Sequence, residues 1–355
     1  MARSQPDAAD PPPPGGVRRL LVWYGSTVGV VLAYHLAARL LGLTPGREMA
    51  GATPLGRPLM IALLLGAYLV TTFYWTMVRH ARSLPALGSR LKRLWLSPTM
   101  VERVVGAFLF IWLIEPLFDV HTAVKRGIPT LLGYRWDPFL ARLDAALHGF
   151  RDPWTWLHAL PGRPLVTAFL DHVYVSWYGV MATVLLVVSM WPPLRWRARF
   201  FLGFFLLWVV AGGLVANLLG SGGPVYYGYF TGDVDRFAPL LAFLGDQETA
   251  ARGLQVALWE AFNGRRAMIY DGIAAMPSLH VGVAAYFAAA AWSVHRLVFA
   301  VAVAWALLIF VGSVHLGWHY AVDGYVAVPL AVGAWWAAGR VVGFRSPPEG
   351  GLEDR

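Results

Sequence analysis

Residues 297–322 read LVFAVAVAWALLIFVGSVHLGWHYAV and contain no aspartate, glutamate, lysine or arginine. As a helix this stretch would span about 39 Å at 1.5 Å per residue, more than the roughly 30 Å of a bilayer's hydrocarbon core. Further long uncharged runs occur at 20–38, 58–78, 173–194, 200–232 and 272–294. The chain is therefore predicted to cross a membrane several times as helices.

The composition supports a membrane protein. Of the 355 residues, 57% are hydrophobic and 14% are charged, whereas soluble proteins carry about 25% charged residues. The 17 Trp, 14 Tyr and 19 Phe residues exclude a disordered chain, and the absence of cysteine excludes a disulfide scaffold. The net charge of +9 has three possible explanations: binding to nucleic acid, contact with anionic lipid headgroups, or an excess of lysine and arginine on the cytoplasmic side of the membrane. Lysine and arginine concentrate in the short segments 79–93 and 195–199, which favours the last interpretation and argues against nucleic acid.

Eight membrane spans are expected in all. The third, from Val104 to about Phe118, is the weakest, because Glu115 lies within it and would need a partner in the membrane. The eighth is the short run 324–339. The predicted organisation is a disordered tail (1–19), two N-terminal transmembrane helices with a basic loop (20–102), a membrane domain (103–339) and a second tail (340–355).

Two outer segments are too long to be simple connections. In the first, Asp137 and Pro138 suit an N-cap and a first helical residue. Apolar residues then recur at helical spacing opposite Arg142 and Asp144, which predicts a helix in the membrane interface; they are Phe139, Leu140, Leu143, Leu147 and Phe150. The second segment contains a helical pattern at 249–262 that we expect to cover a site.

His280 stands at the start of an apolar helical run, directly after Pro277, Ser278 and Leu279. The free N–H groups of a helix N-terminus form an anion site, and the Ser278 hydroxyl adds a donor. A histidine there can hold a proton near a bound oxyanion. The simpler interpretation is a helix start with an incidental histidine.

His315, His319 and Asp323 are each four residues apart, so they would share one face if the segment were helical. An aspartate that accepts from one imidazole nitrogen leaves the other nitrogen free to attack a substrate or to bind a metal. The pair His315 and His319 has zinc-ligand spacing. A metalloprotease helix, however, requires glutamate directly after the first histidine, where this chain has Leu316.

The two histidine segments carry a family resemblance. Residues 277–280, PSLH, and 319–323, HYAVD, resemble the second and third motifs of the type 2 phosphatidic acid phosphatase superfamily. The closer likeness is to its inositol phosphorylceramide synthase and sphingomyelin synthase branch, and residues 143–153 resemble a segment of bacterial members. The likeness covers about 103–339. It implies an all-α polytopic membrane bundle with a six-helix phosphatase-type core, preceded by about two transmembrane helices.

The resemblance also implies roles. His319 would be the nucleophile that forms a phosphohistidine, Asp323 would orient it, and His280 would be the general acid and base. The implied partners are the lipid bilayer, a phospholipid or polyprenyl phosphate as donor, and an alcohol or water as acceptor. No metal and no other cofactor is expected. The protein would be a multi-pass protein of the bacterial plasma membrane, with its active site on the extracytoplasmic face.

The chain departs from the superfamily pattern in its cations. The first motif, Lys-x6-Arg-Pro, is absent, and the uncharged segment 222–227 stands in its place. Ser313 replaces the arginine usual in the third motif. Phosphate binding is therefore expected from other residues, namely Ser278, Arg265, Arg266, Gly223, Pro224 and His315. For the two arginines an ordinary charged loop is the equal alternative.

Three functions follow in order of preference. The first is a metal-independent lipid phosphotransferase that transfers to an alcohol, of the inositol phosphotransferase type. The second is a lipid phosphate phosphatase that hydrolyses a phosphatidate or polyprenyl phosphate. The third is a transporter or lipid-binding protein without enzymatic activity, in which His280, His319 and Asp323 relay protons. A metalloenzyme ranks after these three.

Overall fold

In a computed structural model of the protein, the described residues are 16–43, 98–160, 163–190, 193–266, 268 and 271–343. Over these ranges the chain is helical and forms no strand. The predicted second span at 58–78 and the basic segment at 79–93 lie outside the described residues, as do 1–15 and 344–355 of the predicted tails.

Nine helices organise the described chain. They are α1 (Gly16–Leu40), α2 (Pro98–Arg126), α3 (Asp137–Leu147), α4 (Arg163–Met190), α5 (Leu194–Leu207), α6 (Ala250–Phe262), α7 (Leu279–Ala291), α8 (Arg296–His315) and α9 (Ala321–Val341). A π-helical stretch, Trp208–Val215, continues α5 into Ala216–Leu218. Shorter helices fill the connections, at Ile128–Leu131, Pro153–His158, Pro224–Tyr226, Tyr227–Thr231 and Ala238–Gly245.

The predicted fold class is confirmed. In the described ranges, five helical stretches are long and apolar enough to cross a membrane, as expected of a multi-pass membrane protein; they are Val104–Leu131, Pro164–Met190, Leu194–Leu218, Arg296–His315 and Ala321–Val341. The predicted first span is the 25-residue α1, which is not among these five. The predicted sixth span contains only the 13-residue α7. Residues 272–278 lead into α7 without helical structure, because its N-cap is Ser278.

The third span is longer than the sequence indicated. Helix α2 continues past Phe118 to Arg126 and contains Pro116, Glu115 and Asp119 within it. The prediction stopped at these residues because charges and proline interrupt an apolar run. The continued helix carries Lys125 to the end of the bundle where α7 begins.

Helix α7 is central to the bundle. It packs against α8 on one side and α9 on the other, while α9 also packs against α5. Its sequence, LHVGVAAYFAAAA, is rich in alanine, so neighbouring backbones approach closely. Between α5 and α7, the Tyr286 ring contacts the rings of Phe200 and Phe204, with centroids 5.5 and 6.4 Å apart.

Helix α3 forms where it was predicted, and its two acidic residues face the interior of the protein. Asp144 was placed opposite the apolar stripe, yet it is only 2% exposed, and Asp137 is fully buried. Phe139 and Leu147, from the predicted stripe, are 47% and 60% exposed. The acids turn inward because they bind backbone N–H groups of two other segments.

Candidate active site

His280 and His319 face each other across a cavity of about 280 Å³. Their ring centroids are 6.4 Å apart. His280 is the second residue of α7, and His319 lies in the short connection between α8 and α9. The two histidine segments, which are far apart in sequence, therefore meet at one end of the bundle.

His319 is oriented by Asp323. The His319 Nδ1 lies 3.2 Å from the Asp323 Oδ2, which also accepts a hydrogen bond from the Tyr320 amide at 3.0 Å. Because a carboxylate only accepts, this contact places the proton of His319 on Nδ1 and leaves a lone pair on Nε2. The backbone carbonyl of Asp323 accepts from the Ser278 amide at 3.2 Å, which ties the two histidine segments together.

His315 does not join this pair. The prediction that 315, 319 and 323 share a helical face is wrong, because α8 ends at His315, α9 begins at Ala321, and Gly317 turns the chain with a φ of +73°. The His315 Nε2 is instead 2.8 Å from the Thr167 hydroxyl in a buried contact. The two histidines therefore do not converge as a zinc-ligand pair.

Aromatic rings enclose the His280 imidazole. Tyr174 stacks on it with centroids 4.7 Å apart, and Trp177 lies at 4.3 Å. The Trp177 indole N–H also donates to the His280 carbonyl at 3.0 Å, which fixes the start of α7. Within the described residues, the buried Nε2 of His280 has no hydrogen-bond partner. A buried polar atom in this condition is available to a ligand.

Asp137 joins two segments of the site. Its carboxylate accepts from the Ser221 hydroxyl at 3.0 Å, the Gly222 amide at 2.7 Å, the Gly223 amide at 3.0 Å and the Tyr320 hydroxyl at 2.8 Å. Burial raises the pKa of the Asp137 carboxyl above its usual range, and the four donors oppose that shift. Burial likewise raises the pKa of the Tyr320 hydroxyl, so that it remains a donor.

Asp144, two turns later on α3, caps α9. Its two carboxylate oxygens accept from the Ala321 amide at 3.1 Å and the Val322 amide at 3.0 Å. Burial raises the pKa of this carboxyl too, against the effect of the two amides. A carboxylate at a helix N-terminus is favoured by the helix dipole. Helix α3 thus holds two parts of the chain in place. They are the segment 222–227, here called the glycine segment, and the start of α9.

The glycine segment does not offer free donors to a phosphate. The Gly222 and Gly223 amides both donate to Asp137. Gly223 has a φ of +82°, and a Cβ there would lie 2.5 Å from the Trp318 carbonyl oxygen. The glycine is needed because the backbone passes so close to the segment that precedes His319.

The residues predicted to bind phosphate lie outside the cavity wall. Ser278 is buried as the N-cap of α7 and accepts from the Val281 amide at 3.4 Å. Arg265 and Arg266 are exposed in the loop after α6, and the Arg266 guanidinium lies 3.6 Å from the Glu260 carboxylate. In the described ranges, none of the six predicted residues lines the cavity; these are Ser278, Arg265, Arg266, Gly223, Pro224 and His315.

Sequence reasoning missed three residues that build the site. Asp137 was assigned to helix capping and Asp144 to the polar face of an interfacial helix, and Lys125 was not singled out. A signal for the lysine did exist: His121 and Lys125 are four residues apart, so on a helix they share a face. Both line the cavity. By contrast, the predicted covering helix is present as α6, whose Ala251, Leu254 and Leu258 form part of the wall.

Comparison with known proteins gives one match. A family model described as "PAP2 superfamily" matches residues 138–337, which are 200 of the 355 residues. No curated protein and no solved structure matches the chain significantly. Members of the matched superfamily are phosphatases and phosphotransferases of phosphate esters. The matched region contains His280, His319 and Asp323, whereas helix α2 precedes it.

Proposed function

Because the chain belongs to the PAP2 superfamily, we propose that it is an integral-membrane phosphotransferase that moves a phospho group from a lipid to an alcohol through a phosphohistidine. The observation that carries this proposal is the pair of histidines across one cavity, one of them oriented by a buried aspartate. The 6.4 Å between the ring centroids leaves room for a phosphoryl group between them.

In the first half-reaction, the His319 Nε2 attacks phosphorus. The N–P bond forms while the bond between phosphorus and the leaving oxygen breaks, and His280 gives its proton to that alkoxide. Asp323 stabilises the positive charge that develops on the His319 ring. General acid catalysis of this kind contributes about 10²–10⁴-fold to the rate.

The second half-reaction reverses these roles. His280, now unprotonated, takes the proton of an acceptor hydroxyl, whose oxygen attacks phosphorus as the N–P bond breaks. Two features support an alcohol over water as acceptor. Leu279 and the His-Tyr-x-x-Asp form of 319–323 resemble the lipid phosphotransferase branch, and the aromatic rings of Tyr174 and Trp177 around His280 disfavour bulk water.

A lipid donor fits the position of the cavity. Its wall includes Phe118 on α2, Met181 on α4 and Trp208 in the π-helical stretch, all within helical stretches long enough to cross a membrane. The hydrocarbon chain of such a donor would lie along this apolar part of the wall, with its phosphate at His319. Hydrolysis of a phosphatidate or polyprenyl phosphate is the second candidate, because water can take the acceptor's place in the same cavity.

The proposal is tested with purified protein in nanodiscs that contain a phospholipid or a polyprenyl phosphate, with and without added alcohols such as inositol. Mass spectrometry of the lipids and release of inorganic phosphate distinguish transfer from hydrolysis. We expect His319→Ala to abolish both products and His172→Ala, at an exposed histidine of α4, to retain them. Normal turnover in His319→Ala would refute the mechanism. Proton movement in proteoliposomes without any turnover would favour the transporter.

A further inference from the structure

The cavity contains a cation that the family match does not include. Lys125, on α2, lines the cavity together with His280 and His319. Among the cavity-lining residues in the described ranges, it is the only lysine or arginine. The family match begins at residue 138, so this side chain comes from a helix that precedes it.

The structure holds Lys125 in place. The next residue, Arg126, pairs with Asp271 through both carboxylate oxygens, with the Nη2 to Oδ2 distance at 2.8 Å. Gly272 then passes directly over the lysine stem, since a Cβ on it would lie 3.1 Å from the Lys125 Cγ. The end of α2 is thereby fixed against the segment that leads into His280.

Two other sets of donors near the histidines are already occupied. The Gly222 and Gly223 amides bind Asp137, and the first amides of α9 bind Asp144. Both sets of donors therefore face a carboxylate. A phosphate anion entering this cavity needs a counter-charge, because an unpaired buried charge is costly.

We propose that Lys125 binds the phosphoryl oxygens while phosphorus is transferred to and from His319. The Lys125 side chain shares the wall of this cavity with His121 and His280. It would neutralise the charge that develops on the non-bridging oxygens, which arginine and lysine side chains do in other phosphoryl-transfer sites. This inference rests on the proposed function for the identity of the anion, but the binding of the anion itself is measurable without turnover.

The test measures binding of vanadate, a mimic of the phosphoryl transition state, to the purified full-length protein by isothermal titration calorimetry. The variants are Lys125→Met, which keeps the stem and removes the charge, and Lys125→Arg, which restores a cation. Arg142→Gln, at an exposed cation of α3, is the matched control. We expect Lys125→Met to weaken vanadate binding and to lower kcat/KM by about 10²–10³-fold, the loss typical of one removed oxyanion donor. Lys125→Arg should recover much of both, and Arg142→Gln should match the wild type.

The outcomes separate this inference from the proposed function. Equal vanadate binding by the wild type and a folded Lys125→Met would overturn the role of Lys125, even if the enzyme is active. Failure of Lys125→Arg to recover binding, with its thermal unfolding unchanged, would overturn it too, because charge would then not be what matters. Vanadate binding that depends on Lys125, in a protein that turns over no phosphate ester, would instead refute the proposed function alone.

Discussion

The Tyr320 hydroxyl donates a hydrogen bond of 2.8 Å to the Asp137 carboxylate, although 183 residues separate the two in sequence. Tyr320 directly follows His319, and the same carboxylate also accepts from the Gly222 and Gly223 amides. One buried acid therefore sets the distance between the segment that contains His319 and the glycine segment.

We predict that Asp137→Ala will destabilise the protein strongly. It would leave four buried donors without an acceptor, and each unsatisfied group costs about 1–3 kcal/mol. Thermal unfolding in detergent should shift downward by several degrees, and the remaining folded protein should lose most activity. Asp235→Ala, which changes an exposed acid in the loop before Ala238–Gly245, is the control and should unfold like the wild type. An unchanged unfolding temperature for Asp137→Ala would contradict this role.

Asp323→Asn should lower kcat by about 10²–10⁴-fold with little change in the unfolding temperature. The side-chain amide of the introduced asparagine keeps the shape of the carboxylate, but it no longer favours the proton on the His319 Nδ1. The His319 Nε2 is therefore a poorer nucleophile. The measurement is single-turnover transfer with detection of the phosphohistidine. The control is His172→Ala, at an exposed position. Full phosphohistidine formation by Asp323→Asn would show that the aspartate does not orient the nucleophile.

Asp171→Ala should loosen helix α6. The Asp171 carboxylate on α4 accepts from the Ala250 and Ala251 amides at 2.9 and 2.8 Å, so that it caps α6 from another helix. Without it, amide hydrogens of 250–262 should exchange faster, and KM should rise, because α6 forms part of the cavity wall. Loss of such a cap costs about 1 kcal/mol. Glu248→Gln, at an exposed acid close by, should leave exchange unchanged; equal exchange in both variants would argue against this contact.

A phosphodiester should be a better donor than a phosphomonoester with the same lipid chains. Lys125 is the only lysine or arginine that the described cavity wall contains, and its ammonium balances the single charge of a diester, so that the proton of His280 stays available for the leaving group. A monoester carries about −1.5 to −2 at pH 7. We expect kcat/KM to favour a diester phospholipid over phosphatidate by about tenfold. A difference of about 1.4 kcal/mol in the electrostatic stabilisation of the two donors is enough for that factor. Higher kcat/KM for phosphatidate would contradict this expectation.

The predicted orientation is testable because the chain has no cysteine. Asp235 lies in an exposed loop at the end of the bundle where α9 begins, whereas Val294 is exposed between α7 and α8 at the opposite end. If the site faces the extracytoplasmic side, a membrane-impermeant maleimide should label Asp235→Cys but not Val294→Cys in intact cells. Permeabilised cells, in which both should react, provide the control. The reverse pattern would place the site on the cytoplasmic side.

The sequence by itself determined the membrane-spanning character, the all-helical fold and the residues of the two histidine segments. Long uncharged runs identify spans because a backbone in hydrocarbon must satisfy its hydrogen bonds within a helix. Local patterns also identified the start of α3 to within one residue, since Asp137, predicted as the N-cap, is the first residue of the helix and Pro138 is the second.

Tertiary structure alone decided how the site is assembled. The extension of α2 through Pro116 brought Lys125 to the cavity, and the inward turn of Asp137 occupied the amide of Gly223, a residue that the sequence suggested for phosphate. The inward turn of Asp144 occupied the first amides of α9. His315, although four residues from His319, faces away. These outcomes depend on hydrogen bonds between segments far apart in the chain, and periodicity within one helix carries no information about which distant donor a buried carboxylate will meet.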